Sequence, residues 1–343
     1  MIPKKSFTYV APDSIEAASD YLSTEKDALI LAGGTDLLPR IKLGLKQPSC
    51  LVDLGRIGAL KGISTREEGL FIGAMETLGD LVRNSQVSRY VPALGYSARS
   101  VGSPQIRNRA TLAGNILQER RCLYFNQSEY WRNSIAPCFK VGGEVCHQRP
   151  PSRSCCALYY SDTAPVLLAY DAQVERYDGG TFKLTSLRDA ILPRVNGDSE
   201  KSLFTGILIP YPAPGTRARF IKQGVRAAMD FASLNAAVRY TPPGEERGPV
   251  VRIFVGACSS EPVELKETAD FLIANLSRLS EFEEEVKEMA VKELIKKSSL
   301  VRETAISPKA KKSSFHLVSN LLEELFVSLS SRHSGERLKQ NGL

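Results

Sequence analysis

The N-terminal part of the chain combines three short apolar runs with one amphipathic stretch. The apolar runs at residues 7–10, 28–31 and 50–54 predict strands. The Asp-Ser-Ile-Glu sequence at residues 13–16 is typical of a capped helix N-terminus, and this helix is expected to end near Ser23. Together these elements predict a small β-α-β-β unit.

The central part of the chain predicts regular elements on both sides of a long irregular segment. The expected elements are a strand at residues 69–73, a helix from Thr77, helical periodicity at 87–101, an apolar run at 164–170 and an alternating strand at 173–177. Between them, residues 118–160 show little periodicity, although their aromatic side chains argue against disorder. Because long structureless segments are uncommon inside compact domains, this segment is interpreted as a functional insertion.

The C-terminal part predicts an antiparallel sheet followed by helices. Residues 196–202 are polar and turn-rich, so a domain boundary is expected shortly before them, near Tyr177. The expected strands are residues 203–209, 220–223, 233–240 and 250–258, and the expected helices are 279–297 and 311–331. The last helix is apolar at Phe315, Val318, Leu321, Leu322, Leu325 and Phe326.

These elements predict an α+β fold of two domains. The first domain is expected at residues 1–177, with subdomains at 1–57 and 58–177 and the insertion at 118–160. The second is expected at residues 178–343. A chain of 343 residues is long enough for two or three domains.

Composition favours a globular protein of the cytoplasm. The hydrophobic fraction of 43% and the charged fraction of 24% are near the averages for globular domains. The sequence has no apolar run long enough to span a membrane, and its first residues lack the apolar region of a signal peptide. The net charge of +7 is scattered among acidic residues, which gives little support for nucleic-acid binding.

Two glycine-bearing turns are candidates for binding phosphate. The first follows a predicted strand and reads Ala32, Gly33, Gly34, Thr35, Asp36. The second reads Thr111, Leu112, Ala113, Gly114, Asn115. A turn without bulky side chains exposes backbone N–H groups, which can cradle phosphate oxygens, and a dinucleotide needs such donors from two places. Neither turn matches the Rossmann or P-loop motif. In the first turn, Asp36 is expected to cap the loop or to contact a ribose, since its charge would repel a diphosphate.

The two turns, followed by Asp162-Thr163-Ala164-Pro165, resemble the successive FAD signatures of the molybdenum hydroxylase flavoprotein family, which includes the FAD domain of xanthine dehydrogenase and the medium subunit of carbon monoxide dehydrogenase. The segment from Arg226 to Ala232 is similar to the family's C-terminal module. In the family, the two turns hold the FAD diphosphate and ribityl chain, the aspartate contacts the adenosine half, and a lysine matching Lys222 lies near the flavin. The resemblance therefore implies FAD binding by Leu31, Ala32, Gly33, Gly34, Thr35, Asp36, Leu37, Val101, Thr111, Leu112, Ala113, Gly114, Asn115, Asp162 and Lys222.

Five of the seven cysteines lie in the insertion, at Cys122, Cys138, Cys146, Cys155 and Cys156. Cys50 and Cys258 stand alone in apolar segments and are expected to be buried. Several thiolates on one loop are suited to an iron–sulfur cluster or to zinc, and their spacing does not choose between the two. Beside a flavin, a redox centre is the more useful of the two.

The insertion also resembles one in the flavin subunit of 4-hydroxybenzoyl-CoA reductases, which carries a 4Fe-4S cluster. This resemblance implies that Cys122, Cys138, Cys146 and Cys155 are the cluster ligands and that Cys156 is the spare, although the sequence leaves the order of Cys155 and Cys156 open. His147 is expected to form a hydrogen bond or to be exposed instead of binding metal. The insertion also carries arginines that are expected to offset thiolate charge or to form a docking face for an acidic donor, namely Arg120, Arg121, Arg132, Arg149 and Arg153.

The resemblance implies an electron-transfer subunit with no catalytic residue of its own. Its partners would be a large subunit with the molybdenum cofactor (molybdopterin), a small subunit with two 2Fe-2S clusters and a low-potential donor such as ferredoxin. The expected reaction is reductive removal of the phenolic hydroxyl of 4-hydroxybenzoyl-CoA, in anaerobic aromatic degradation. Two alternatives stay open: electron flow from a substrate to NAD or a quinone, and a metal-loop scaffold module.

Overall fold

The computed structural model describes residues 6–196, 202–226, 229–245, 247–301 and 308–340. Their elements form three sheets, each with helices packed against it. The expected α+β class is confirmed. Most of the predicted turn at residues 196–202 lies outside the described residues, as do Ala227 and Ala228.

The N-terminal unit is a three-stranded parallel sheet. Its elements are β1 (Thr8–Val10), α1 (Ile15–Thr24), β2 (Ala28–Leu31), α2 (Leu37–Lys42) and β3 (Cys50–Asp53). The central strand is β3, which pairs in parallel with β1 and β2. Ser14 caps α1 by accepting a hydrogen bond from the backbone N–H of Ala17. Ile15, Ala18 and Leu22 on the buried face of α1 join the same core as the strands.

The second unit contains a five-stranded antiparallel sheet in the order β4-β5-β8-β6-β7. Its strands are β4 (Ile63–Thr65), β5 (Gly69–Gly73), β6 (Gln173–Asp178), β7 (Thr181–Ser186) and β8 (Leu203–Pro210). The prediction that residues 203–209 belong to the C-terminal sheet is wrong: β8 pairs with β5 and β6. Since a boundary near Tyr177 would cut β6 from its hydrogen-bonded neighbours β7 and β8, we propose that the boundary lies after Pro210.

Short helices precede and follow the insertion in the second unit, and one of them, α8, lies within it. They are α3 (Leu78–Arg83), α4 (Ser85–Tyr90), α5 (Pro92–Arg99), α6 (Pro104–Arg107), α7 (Leu112–Ile116), α8 (Glu129–Arg132), α9 (Ala164–Ala169) and α10 (Leu187–Asn196). The helical periodicity expected at 87–101 is divided between α4 and α5. Pro92 occupies the first turn of α5, where its missing N–H costs no helical hydrogen bond.

The C-terminal unit is a four-stranded antiparallel sheet in the order β12-β11-β10-β9, packed against helices. Its elements are β9 (Arg217–Gln223), β10 (Leu234–Thr241), β11 (Val250–Gly256), β12 (Val263–Glu264), α11 (Lys266–Ala274), α12 (Leu279–Lys297), α13 (Pro308–Lys312) and α14 (Leu317–Gln340). The apolar stripe predicted at 315–326 is buried in the core of this unit. Helix α9 packs against β10 and β11 and so joins the second unit to the third. In the part of the chain that the structure describes, no helix combines the length and the apolar character that a membrane crossing requires.

Candidate functional site

The two glycine turns lie against each other. A side chain on Gly33 would place its Cβ 1.8 Å from the backbone oxygen of Arg109, so only glycine permits this approach. Gly34 has φ +75°, which also favours glycine. The first turn leaves the C-terminal end of β2 at Leu31 and enters α2 at Leu37. Strand β2 and the Arg109–Ala110 backbone therefore both restrict the position of the first turn.

The first turn offers backbone donors that the protein does not use. No hydrogen bond within the described ranges has the N–H of Gly33, Gly34 or Thr35 as its donor. Adjacent unpaired N–H groups without Cβ obstruction can bind an anion. The first turn thus has the donor pattern that the sequence predicts for phosphate.

In the second turn, the backbone N–H groups already donate hydrogen bonds within the protein. The N–H groups of Leu112 and Ala113 donate to the carbonyls of Glu76 and Ala74, at 2.9 and 3.3 Å. Thr111 caps α7 by accepting from the N–H of Gly114 at 3.1 Å. These contacts fix the turn beside β5, and because the N–H groups of Leu112, Ala113 and Gly114 are engaged, a ligand here would meet side-chain atoms instead.

Asn115 joins the second turn to the segment before α9. Its Oδ1 accepts hydrogen bonds from the hydroxyls of Ser161 (2.7 Å) and Thr163 (2.8 Å). Ser161 is fully buried, and its hydroxyl oxygen also accepts from the N–H of Ala164. This network fixes the position of Asp162, which lies between the two hydroxyl residues.

Asp162 and Lys222 form one buried ion pair. Lys222 Nζ lies 2.6 Å from Asp162 Oδ2 and also donates to the carbonyl of Ser100 at 2.9 Å. Asn235 Nδ2 donates to Asp162 Oδ1 at 2.7 Å. Burial raises the pKa of Asp162 above its ordinary value, and Lys222 opposes that shift. The family resemblance assigns Asp162 to the adenosine half of FAD and Lys222 to the flavin end, and here the two are in direct contact. The carbonyl group that Lys222 contacts belongs to Ser100, the residue before Val101.

Asp36 turns away from the backbone that it was expected to cap. Its side chain makes no capping hydrogen bond to α2. Instead Oδ1 accepts from Arg121 Nη2 at 2.7 Å, and Oδ2 lies 3.4 Å from Arg40 Nη1. The capping interpretation of Asp36 is therefore wrong. Two guanidinium groups compensate its charge beside the first turn.

All five cysteines of the insertion line one cavity. Aromatic and basic side chains complete its wall, among them Phe125, Phe139, Lys140 and His147. Burial raises the pKa of the Cys122 and Cys156 thiols above their ordinary value. Gln148 Nε2 donates to the Cys122 sulfur at 3.8 Å. N–H···S bonds of this kind tune the potential of an iron–sulfur centre.

The thiols are not gathered around a single point. Among the described residues, no group of three or more His, Cys, Asp or Glu side chains is arranged to hold one metal ion. Four thiolates around one zinc ion at about 2.3 Å would be in mutual contact. A cluster, in which each thiolate binds a different iron, separates its ligands and leaves a space between them. The five thiols line one cavity, and among the described residues they do not surround one ion.

The insertion is held in place by charges that the sequence analysis missed. Glu119 Oε2 lies 2.7 Å from Arg40 Nη2, and Glu119 Oε1 contacts Lys140 Nζ. Burial lowers the pKa of Lys140 to about 8, and Glu119 opposes the shift. No sequence pattern marks this set, because its members come from α2 and from two places in the insertion.

The five arginines of the insertion divide into two groups. Arg120, Arg121 and Arg132 donate hydrogen bonds within the protein, to Cys155 O, Asp36 and Gly44 O respectively. Arg149 and Arg153 are exposed, and neither forms an ion pair with another described residue. His147 Nε2 lies 2.7 Å from the carbonyl oxygen of Ala136, so its ring is hydrogen-bonded, as expected.

Comparison with known proteins identifies the flavin-binding part. Residues 5–212 match the family model described as the FAD binding domain in molybdopterin dehydrogenase. The chain is 32% identical over 254 residues to the aldehyde oxidoreductase FAD-binding subunit PaoB of Escherichia coli, covering 71% of this chain and 80% of that subunit. It is 44% identical over 119 residues to the carbon monoxide dehydrogenase medium chain of Hydrogenophaga pseudoflava, covering 34% and 40%.

Other matches are shorter or structural. The nicotine 6-hydroxylase medium subunit of Paenarthrobacter nicotinovorans is 39% identical over 108 residues, and the match spans 38% of that relative's length and 32% of this chain. Solved carbon monoxide dehydrogenase from Hydrogenophaga pseudoflava superimposes with a TM-score of 0.71 at 22% identity, covering 94% of this chain and 98% of that chain. At that identity, the structural likeness shows the fold. Together with the matched family model, which includes both glycine turns and Asp162, these findings show that the chain belongs to the family of FAD-binding subunits of molybdenum hydroxylases.

Proposed function

We propose that this chain is the FAD- and 4Fe-4S-carrying electron-transfer subunit of a heterotrimeric molybdenum enzyme of the 4-hydroxybenzoyl-CoA reductase type. The observation that carries the proposal is the cavity lined by Cys122, Cys138, Cys146, Cys155 and Cys156. Arg121, which precedes Cys122, forms an ion pair with Asp36 of the first glycine turn. In a member of a flavin-binding family, such a cavity favours a second redox group close to the first.

In this proposal the first glycine turn binds the FAD diphosphate through the N–H groups of Gly33, Gly34 and Thr35. The second turn supports it sterically, because its own N–H groups are engaged. Bound FAD supplies a carrier that takes up electrons singly or in pairs. The buried pair of Asp162 and Lys222, fixed by Asn235, presents polar groups next to Val101 for the remainder of the cofactor.

Cys122, Cys138, Cys146 and Cys155 are the proposed cluster ligands. A 4Fe-4S cluster supplies one-electron transfer. Cys156 is the more deeply buried member of the adjacent pair, and its sulfur lies 3.1 Å from Ser152 Oγ and 3.6 Å from the carbonyl oxygen of Ser154, both within hydrogen-bond distance. Cys155 is less buried and lines the same cavity as Cys122. These contacts favour Cys155 as the fourth ligand.

The proposed partners are a molybdenum-cofactor subunit and a small subunit with 2Fe-2S clusters. In this arrangement a low-potential donor such as ferredoxin delivers electrons to this chain, and the exposed Arg149 and Arg153 suit an acidic donor. On the partner subunit, 4-hydroxybenzoyl-CoA would take up two electrons and two protons and give benzoyl-CoA and water.

A second candidate function has the opposite direction of electron transfer, from a substrate to NAD or a quinone. It is favoured by the names of relatives, which include a nicotine 6-hydroxylase and an aldehyde oxidoreductase. The complex should be assayed with a reduced low-potential donor plus 4-hydroxybenzoyl-CoA, and separately for NAD reduction. Benzoyl-CoA formation supports the first candidate. NAD reduction without turnover of 4-hydroxybenzoyl-CoA would support the second.

The cluster itself is tested by iron and acid-labile sulfide analysis with EPR spectroscopy of the reduced complex. Cys138→Ser should remove one four-iron signal while FAD stays bound, and Cys50→Ser, in the core of the N-terminal unit, serves as the control. Cys156→Ser should retain the signal that Cys155→Ser weakens. A wild-type complex with FAD, but with no iron beyond that of its partners, would rule out the cluster.

A further inference from the structure

A line of alternating charges joins the first glycine turn to the cysteine cavity. It runs from Arg121 through Asp36, Arg40 and Glu119 to Lys140, which lines the cavity. Arg40 is 5% exposed, and the side chain of Lys140 is 11% exposed. Charges in such surroundings interact more strongly than charges on an open surface. The two proposed cofactor sites are therefore connected by an electrostatic path within the chain.

Arg121 lies at one end of this line, where the insertion begins. Its backbone N–H donates to the Leu158 carbonyl at 2.8 Å, and its carbonyl accepts from Leu158 N at 2.9 Å, so it closes the neck of the insertion. The next residue is Cys122, a proposed ligand. The guanidinium of Arg121 lies 4.5 Å from the ring centre of Phe231, a residue of the C-terminal unit. A shift of Cys122 on filling the cavity would therefore be transmitted directly to Arg121.

We propose that Arg121 is a positioning residue that couples filling of the cysteine cavity to FAD binding at the first glycine turn, an inference that rests on the proposed function. The physical link is Asp36. An uncompensated carboxylate beside the turn would repel a diphosphate, and Arg121 is the closer of the two groups that neutralise it. With the cavity filled, the neck of the insertion is fixed and Arg121 stays on Asp36. With the cavity empty, that contact weakens and so does FAD binding.

Such coupling is reciprocal. If a filled cavity strengthens FAD binding by some factor, bound FAD strengthens retention of the cluster by the same factor. The proposal therefore predicts that removing FAD accelerates iron loss from the wild-type complex, and that it does so less in an Arg121 variant.

The test measures the FAD dissociation constant of the purified complex by flavin fluorescence in four forms: wild type, Arg121→Met, Asp36→Asn and the double variant. Arg121→Met should weaken FAD binding about tenfold, which corresponds to about 1.4 kcal/mol. The double variant should return to within about threefold of wild type, because the repulsive carboxylate has also gone. Arg121→Lys should fall between wild type and Arg121→Met. Arg239→Met is the control and should leave FAD binding unchanged, because it breaks an ion pair of 2.6 Å between Arg239 in the C-terminal unit and Asp171 in the second unit.

A second double-mutant cycle, between Cys138 and Arg121, tests the coupling between the cysteine cavity and FAD binding. Cys138→Ser should weaken FAD binding severalfold in the wild-type background and have no effect in the Arg121→Met background. Equal effects in both backgrounds would overturn the proposal, and so would an Arg121→Met variant that Asp36→Asn does not rescue. If the wild-type complex binds FAD but no cluster, the proposed function is wrong. If both cofactors bind and the effects of the substitutions on FAD binding are additive, only the coupling is wrong.

Discussion

The two glycine turns have similar sequences but opposite hydrogen-bonding states. In the first, the N–H groups of Gly33, Gly34 and Thr35 donate to no other described residue. In the second, Leu112, Ala113 and Gly114 all donate within the protein. This difference supports the proposal that the first turn binds the FAD diphosphate and that the second turn holds the first in place. The contact between Gly33 and the Arg109 carbonyl joins the two.

The largest effect is expected from Gly33→Ala. Its Cβ would lie 1.8 Å from the Arg109 oxygen, a backbone atom that cannot move aside without displacing the second turn. FAD binding, measured by flavin absorbance after gel filtration, should be lost. Gly58→Ala, where a Cβ would meet no atom within 4 Å, is the matched control. Retention of FAD by Gly33→Ala would show that the two turns need not touch.

The next largest effect is expected from Lys222→Met, which leaves the Asp162 carboxylate buried without its cation. Such losses cost about 3–5 kcal/mol. Asp162 already has a folded pKa above its unfolded value, and the variant raises it further. The contribution of Asp162 to the free energy of unfolding is therefore fully present below the pKa of the unfolded state. It is lost as the pH rises through the pKa of the folded state.

Urea unfolding should accordingly show a larger destabilisation by Lys222→Met at pH 8 than at pH 5. The Asp162→Asn, Lys222→Met double variant should recover much of the loss. Lys292→Met, which removes the exposed pair with Glu288, should cost less than about 1 kcal/mol at either pH. An effect of Lys222→Met that does not depend on pH would contradict the burial of an ionisable Asp162.

A smaller effect is expected from Asn115→Leu, which removes the acceptor of the Ser161 and Thr163 hydroxyls. Leaving buried hydroxyls without this partner should cost about 1–3 kcal/mol in thermal or urea unfolding. Gln118→Leu on the same segment, which loses a hydrogen bond to the Asn115 carbonyl, is the control. Equal losses in the two variants would show that the network is not a special feature of the second turn.

The smallest effects are expected from Thr111→Ala and Thr35→Ala, one threonine in each glycine turn, which should affect different properties. Thr111→Ala removes the cap of α7 and should cost about 1 kcal/mol of stability. Thr35→Ala removes no hydrogen bond that the structure describes, so it should leave stability unchanged and weaken FAD binding severalfold. The two measurements are the unfolding free energy and the FAD dissociation constant. The opposite pattern would reverse the roles assigned to the two turns.

Local patterns predicted much of this structure. The strands of the N-terminal unit, the helix cap at Ser14 and the buried stripe around Leu321 all follow from periodicity and capping chemistry. The place of Leu203–Pro210 did not follow, because an apolar run forms a strand in either sheet and its partners are far away in sequence.

The site was predictable to a similar degree. The glycine turns and the cysteines stand out by residue type, and the resemblance to a flavoprotein family pointed to FAD. The partners of Asp36 and the ion pair between Asp162 and Lys222 could not be predicted, since they depend on which charged side chains the fold brings together. Residue spacing also could not show that the second turn satisfies its own donors.

The central claim is that one chain holds FAD and, in a separate cavity, an iron–sulfur cluster. The most direct measurement is the FAD and iron content per complex of wild type and Cys138→Ser, with EPR spectra of both after reduction. The account predicts that the variant keeps FAD, bound more weakly, and loses four irons with their signal. Identical iron content and spectra in the two proteins would contradict it.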